Sequence, residues 1–196
     1  MKPKNMKDLE LSCKCGAVKG RVDGAAVKSG NRLICCCHDC QAFVESLGAG
    51  EDALDAHGGT DIFQTSPSSV KIEQGIDQIR CLKLTEKGTD RWYAGCCNTP
   101  IGNTRGAGLP FVGLINSFWS EKDQWNEMVG PPTATVQTKC ARNLAEDMPT
   151  PVGFPMAVTA KLIFKILSWK LTGKGSPNPF FHEDGTPIFP AKILNS

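Results

Sequence analysis

The sequence has no long apolar run. Its most hydrophobic stretch, "FPMAVTAKLIFKILSW" (Phe154 to Trp169), is broken by Lys161 and Lys165 and is too short to cross a bilayer unaided. The start, "MKPKNMKDLELSCKCG", lacks the apolar centre that a secretory leader needs. Both readings predict a cytoplasmic protein. No charge sign dominates: 22 Lys and Arg stand against 20 Asp and Glu, for a formal net charge of +2, with no Lys/Arg run. That balance gives no ground for a nucleic-acid partner. There is no internal repeat and no low-complexity segment. No strong general base stands out either, His38 and Asp39 being the nearest candidates.

Cysteine is what the chain has in abundance, ten in all. In a reducing compartment such a count points to metal binding or reactive thiols rather than disulfides. Placement agrees, because eight of the ten fall in three tight groups: Cys13 and Cys15; Cys35, Cys36, Cys37 and Cys40; and Cys96 and Cys97. Thiolate is soft and anionic, and tetrahedral zinc draws its four donors from close Cys pairs on tight turns. "CKCG" supplies one such pair, with Gly16 letting the backbone turn around the ion. "CCCHDC" carries C-x-C-x-x-C through Cys35, Cys37 and Cys40, three thiolates in six residues. If those three share one ion, a fourth position stays open for water or substrate, the pattern of a catalytic site. Cys36, between two ligands, points away from the ion into core or a supporting position. Cys81, within a strand, reads as core, and Cys140 has no partner motif. His38 is either a fourth ligand or proton carrier, or a solvent-facing, hydrogen-bonded residue. His57 reads the same way, His182 is incidental, and Asp39 is a turn residue.

Twenty Gly and thirteen Pro favour short strands and many turns. Short strands are expected at Gly16–Gly24, Asn31–Ile34, around Ser66-Pro67 and over Leu109–Trp119, with a hairpin turning at "EKGTD". Gln41–Gly48 reads as a short helix stopped by its glycine. The fold class expected is therefore mainly β, small bent sheets with metal-bound loops and a C-terminal helical extension. Residues 8–118 form the metal-binding β-rich domain and 119–196 the extension. "SEKDQWNEMVGPPTATVQ" reads as a linker. A helix follows near 155–172, with Pro155 in its first turn and Gly173 at its end. Lys161, Lys165, Ser168 and Thr172 give it one narrow polar stripe. Its wide apolar face is expected to pack on the sheet core or at a dimer interface. The other reading for that face, with Lys170 and Lys174 added, is contact with an anionic membrane surface.

The order of motifs, C-x-C-G, then C-x-C-x-x-C, then a late Cys group before Thr99-Pro100, resembles the glutathione-dependent formaldehyde-activating enzyme family, which also contains centromere protein V. The resemblance runs from Leu11 to Phe118, and the chain looks like a bacterial branch of that family. It implies a β-rich fold stapled by one or two zinc ions per chain. Cys13 and Cys15, with the late pair, would hold a structural zinc between sheets; Cys35, Cys37 and Cys40 would hold a catalytic one. It further implies carbon–sulfur lyase chemistry on thiol–aldehyde adducts such as S-hydroxymethylglutathione. The late group departs from the family's C-x-x-C-G: in "AGCCNTPIG", Ala94 stands where the first Cys belongs, and Cys96 adjoins Cys97. Adjacent side chains diverge unless the backbone bends, so the structural site is expected to be distorted, three-coordinate or absent. The residues themselves carry no glutathione-binding signature. A non-catalytic zinc module that binds a protein partner is the alternative.

Overall fold

The computed structural model describes residues 7–143 and 153–194. The leader reading of residues 1–6 and the start of the helix segment at 149–152 lie outside the described residues. In chain order the elements are β1 (Leu9–Ser12), β2 (Lys19–Val22), α1 (Gly24–Ser29), β3 (Asn31–Cys35), α2 (His38–Ser46), α3 (Gly50–Ala53), β4 (Thr60–Thr65), β5 (Val70–Gln74), β6 (Ile79–Lys83), β7 (Asp90–Ala94), β8 (Thr99–Thr104), β9 (Val112–Ile115), α4 (Lys122–Val129), β10 (Thr135–Val136), α5 (Met156–Leu171) and β11 (Ala191–Ile193). The chain is mainly β, with a C-terminal helix, as the short-strand spacing predicts.

Two sheets form. A small antiparallel sheet runs β1-β2-β5, and a larger one runs β10-β3-β4-β9-β8-β7-β6-β11. The inner strands of the large sheet are antiparallel, while its two edges, β10 on β3 and β11 on β6, pair in parallel. β2 and β5 approach so closely that a Cβ on Gly20 would lie 2.2 Å from the Lys71 carbonyl oxygen, so only glycine fits there.

Alternation along the strands explains why both faces of the large sheet are covered. On β4, Phe63 enters one core with Trp92, Leu114, Phe118 and Trp125, while its neighbour Ile62 enters another with Leu33, Phe43, Val44 and Ile115. β8 and β9 are buried along their whole length, as strands covered on both sides must be. The segment read as a linker from its polar composition instead holds α4 and β10. Trp125 explains this. Its ring stacks on Trp119 at 4.4 Å and meets Phe63 edge-on at 5.5 Å, and its Nε1 donates to the Glu10 carbonyl at 3.2 Å. Burial of one indole outweighs the polar neighbours on the exposed side of the helix. The tail is pinned by Phe180, stacked on Trp92 at 5.0 Å, and by Phe181, edge-on to the same ring.

This layout brings the cysteines together in two places. The β1–β2 turn of the small sheet meets the β7–β8 turn of the large one. On the second-core side of the large sheet, β3 runs straight into α2.

Candidate metal centres

Two cysteine groups among the described residues can each hold a metal ion: Cys13, Cys15, Cys96 and Cys97, and Cys35, Cys37 and Cys40. Within each group all Sγ atoms lie within 4.8 Å of one another, and every cysteine is a free thiol.

The four-sulfur group is a bridge between sheets. Cys13 Sγ lies 3.6 Å from Cys15 Sγ and 3.9 Å from Cys96 Sγ, Cys15 Sγ lies 3.4 Å from Cys96 Sγ, and Cys96 Sγ lies 3.8 Å from Cys97 Sγ. Four thiolates at a Zn–S bond of about 2.3 Å around one tetrahedral ion stand about 3.8 Å apart. A disulfide would need about 2.05 Å. The donor set therefore fits a four-thiolate ion. The bend that adjacent cysteines require is present. Asn98, next in the turn, takes a left-handed φ of 56°, and the Cys97 N–H returns to the Ala94 carbonyl. Gly16, at φ 76°, makes the matching turn after Cys15. The Val18 N–H donates to Cys13 Sγ at 3.2 Å, and Thr99 Oγ1 lies 3.1 Å from Cys97 Sγ while accepting the Lys14 N–H. Burial pushes the Cys13 and Cys96 thiols up. Burial also acts on Cys97, but the Thr99 hydroxyl and the backbone N–H groups of Cys15 and Thr99 outweigh it and hold that thiol at about 6.

The three-sulfur group is built by the passage from strand to helix. Cys35 closes β3, Cys37 is the N-cap of α2, and Cys40 sits in the helix's first turn. As cap, the Cys37 sulfur accepts the Cys40 N–H at 3.4 Å. Hydrogen bonds from the Cys35 and Cys40 thiols hold Cys37 far below the ordinary thiol value, with help from the Arg91 charge. Cys35 is driven up by its hydrogen bonds with Cys37 and Cys40 and by burial. Charge on one sulfur of the trio thus disfavours charge on its neighbours. Full deprotonation requires a cation.

Arg91 is the residue that sequence reasoning missed. It projects from β7 onto the same sheet face as Cys35, with its side chain only 5% exposed. Its Nη1 lies 3.9 Å from Cys40 Sγ, its Nη2 lies 3.6 Å from Asp39 Oδ2, and its guanidinium stands over the Phe43 ring at 5.5 Å. A cavity of about 250 Å³ opens on this cluster, lined by Cys35, Cys37 and Cys40 together with Arg91, Gln64 and Asn103. Phe111, Phe154 and Leu162 form its apolar side. Asp39, read as a turn residue, lines the cavity and pairs with Arg91.

The remaining candidates are placed as follows. His38 is exposed at the first position of α2 and does not line the cavity. His57 Nδ1 lies 2.7 Å from the Asn143 carbonyl oxygen, and His57 does not line the cavity. Cys36 is buried outside the cluster, its N–H bonded to Val136 and its carbonyl accepting from Gln41, and burial raises its thiol to about 11. Cys81 is buried in the first core. The Cys140 carbonyl accepts from Gln41 Nε2.

A family model described as a family of unknown function, DUF6151, matches residues 5–192. The chain belongs to DUF6151. No curated protein matches it. Among solved structures, a protein of Rhodobacter sphaeroides matches the DUF6151 chain at 16% identity and a TM-score of 0.42, over 65% of this chain and 100% of its own.

Proposed function

We propose that the chain is a zinc enzyme of carbon–sulfur lyase type, acting on adducts of a thiol with an aldehyde, with zinc at both sulfur groups. The observation that carries this reading is the difference between the two groups. The first offers four sulfurs, which fill a tetrahedral ion and leave it a structural role. The second offers three, beside a cavity, which leaves one position for an external oxygen or sulfur. When bound there, zinc would supply Lewis acidity at that position.

The chain's own residues have defined tasks. Three thiolates around a divalent ion leave a net charge of −1, which weakens its acidity. Arg91, buried against Cys40, offsets that charge and helps keep the thiolates ionised. Gln64 and Asn103 present amide groups to the cavity, suited to orient the oxygen of an aldehyde or its adduct. Phe111, Phe154 and Leu162 exclude water from the same space. Addition joins the thiol sulfur to the carbonyl carbon and carries the thiol proton to the carbonyl oxygen; lyase turnover reverses both, with no change in oxidation state. Asp39, on the cavity wall and facing Arg91, is the group placed to pass that proton. Glutathione as the thiol is supported by the motif resemblance, and a cytoplasmic site of action by the grouping of the cysteines at metal-ligand spacing.

The test is turnover of S-hydroxymethylglutathione, followed by NMR, in the zinc-loaded chain and in Cys37→Ser. The reading expects zinc-dependent turnover that Cys37→Ser abolishes while the far-UV spectrum stays native. If Cys37→Ser unfolds the protein, or the wild type turns over no thiol–aldehyde adduct, a purely structural zinc module is the better account.

A further inference from the structure

α5 has two apolar faces, and the fold uses one. Val158, Leu162, Ile166 and Trp169 recur at helical spacing on the side that packs, where they are half-buried or buried. Lys165 lies on that side too. Its Nζ donates to the carbonyls of Ser29 and Gly30, which ties the helix to the end of α1. On the opposite side Met156, Ile163, Phe164, Leu167 and Leu171 recur at the same spacing and form one stripe, with Met156 at 89%, Phe164 at 74% and Leu171 at 87% exposure. The expectation that the wide apolar face packs on the sheet core or at a dimer interface meets the structure on the inner side, where Val158 packs against the second core and Trp169 is buried. A helix apolar on both sides is made to be covered on both.

The charge around the stripe identifies what covers it. No Asp or Glu lies between Asp147 and Glu183. Lys161, Lys170 and Lys174 are exposed beside the stripe, and none joins an ion pair among the described residues. A second copy laid stripe to stripe would bring an excess of lysine against lysine, with Glu183, which lines the same cavity as Lys170, the one carboxylate of that cavity. An anionic lipid surface accepts the apolar stripe and neutralises the lysines together.

We propose that the outer face of α5, with Lys161 and Lys170 at its margins, docks on an anionic membrane surface. It lies in the interface plane, since no helix among the described residues is long and apolar enough to cross a membrane. Leu162, on the inner face of α5, lines the three-sulfur cavity, so docking sets the cavity wall beside the lipid. The proposal does not depend on the chemistry at that cavity.

The test is co-sedimentation of the full metal-loaded chain with vesicles of phosphatidylcholine, with and without phosphatidylglycerol. Binding to the anionic vesicles is expected to exceed binding to neutral ones at least tenfold at low salt and to fall as salt is added. Phe164→Glu with Leu167→Glu, both on the exposed side, is expected to lower it at least tenfold with an unchanged far-UV spectrum. Lys161→Gln with Lys170→Gln is expected to lower it several-fold. The proposal is overturned if anionic vesicles do not sediment the chain or if the double Glu variant binds as the wild type does. It is also overturned if ultracentrifugation shows a dimer that the double Glu variant dissolves, which would make a second copy the occupant.

Discussion

Replacing Arg91 with Met keeps a long buried stem and removes one charge. The guanidinium lies 3.9 Å from Cys40 Sγ. At an effective dielectric constant of about 20, two unit charges at that separation interact by about 4 kcal/mol. Asp39 takes back part of this, but its carboxylate is 70% exposed and well screened. Keeping a third to a half leaves about 1.5–2 kcal/mol, or about 10- to 30-fold in zinc affinity at the three-sulfur site. The sign follows from the chemistry. Zinc requires thiolates, Arg91 favours the thiolate form at Cys37 and Cys40, and its loss makes protons stronger competitors for the sulfurs. Chelator competition should therefore show Arg91→Met holding zinc at the three-sulfur site, one of the two sites proposed, 10- to 30-fold more weakly. On acidification that zinc should leave at a higher pH than in the wild type. Arg91→Lys, which keeps the charge and loses the planar fork, should recover most of the affinity. If Arg91→Met binds both ions within twofold of the wild type, the charge-offset argument is wrong.

Cys37→Ser should drop the zinc content by one ion with little change in melting temperature, because serine also caps helix N-termini. Cys96→Ser should instead lower the melting temperature markedly, since its sulfur belongs to the bridge between the β1–β2 and β7–β8 turns, and a metal chelator should lower the wild type in the same way. Gly20→Ala should cost at least about 2 kcal/mol in urea unfolding, because the clash is with backbone and no side chain can yield. The Gly24 N–H and the Arg21 guanidinium hold Asp8 below its ordinary carboxylate value. Its contribution is thus present above the unfolded-state value and lost as pH falls through the lower folded one, so Asp8→Asn should lose stability near neutrality and converge with the wild type in acid.

Much of the architecture can be read from local spacing. Short β runs between Gly, Pro and Asn, and a terminal helix beginning near Pro155, follow from period and turn chemistry alone. C-x-C-x-x-C is equally legible, because a strand end followed by one helical turn is enough to gather Cys35, Cys37 and Cys40. What escaped depends on contacts distant in sequence. A lone Arg in "DRWYA" does not announce which face of the sheet it takes; the pairing of Arg91 with Leu82 and Asn103 puts it beside Cys40. The inward charge among buried neighbours is the only local hint. Cys96 and Cys97 read as a defect because adjacency normally splays side chains, and it is the left-handed Asn98 turn that gathers them. Trp125 was hidden by polar neighbours, though one indole on an eight-residue helix suffices to anchor it.

Elemental analysis of the purified chain, with mass spectrometry for disulfides, tests most directly whether the sulfurs serve metal. Two zinc ions per chain and ten free thiols after metal removal are the result predicted from the two groups. A metal-free chain whose sulfurs are bonded to one another would contradict it.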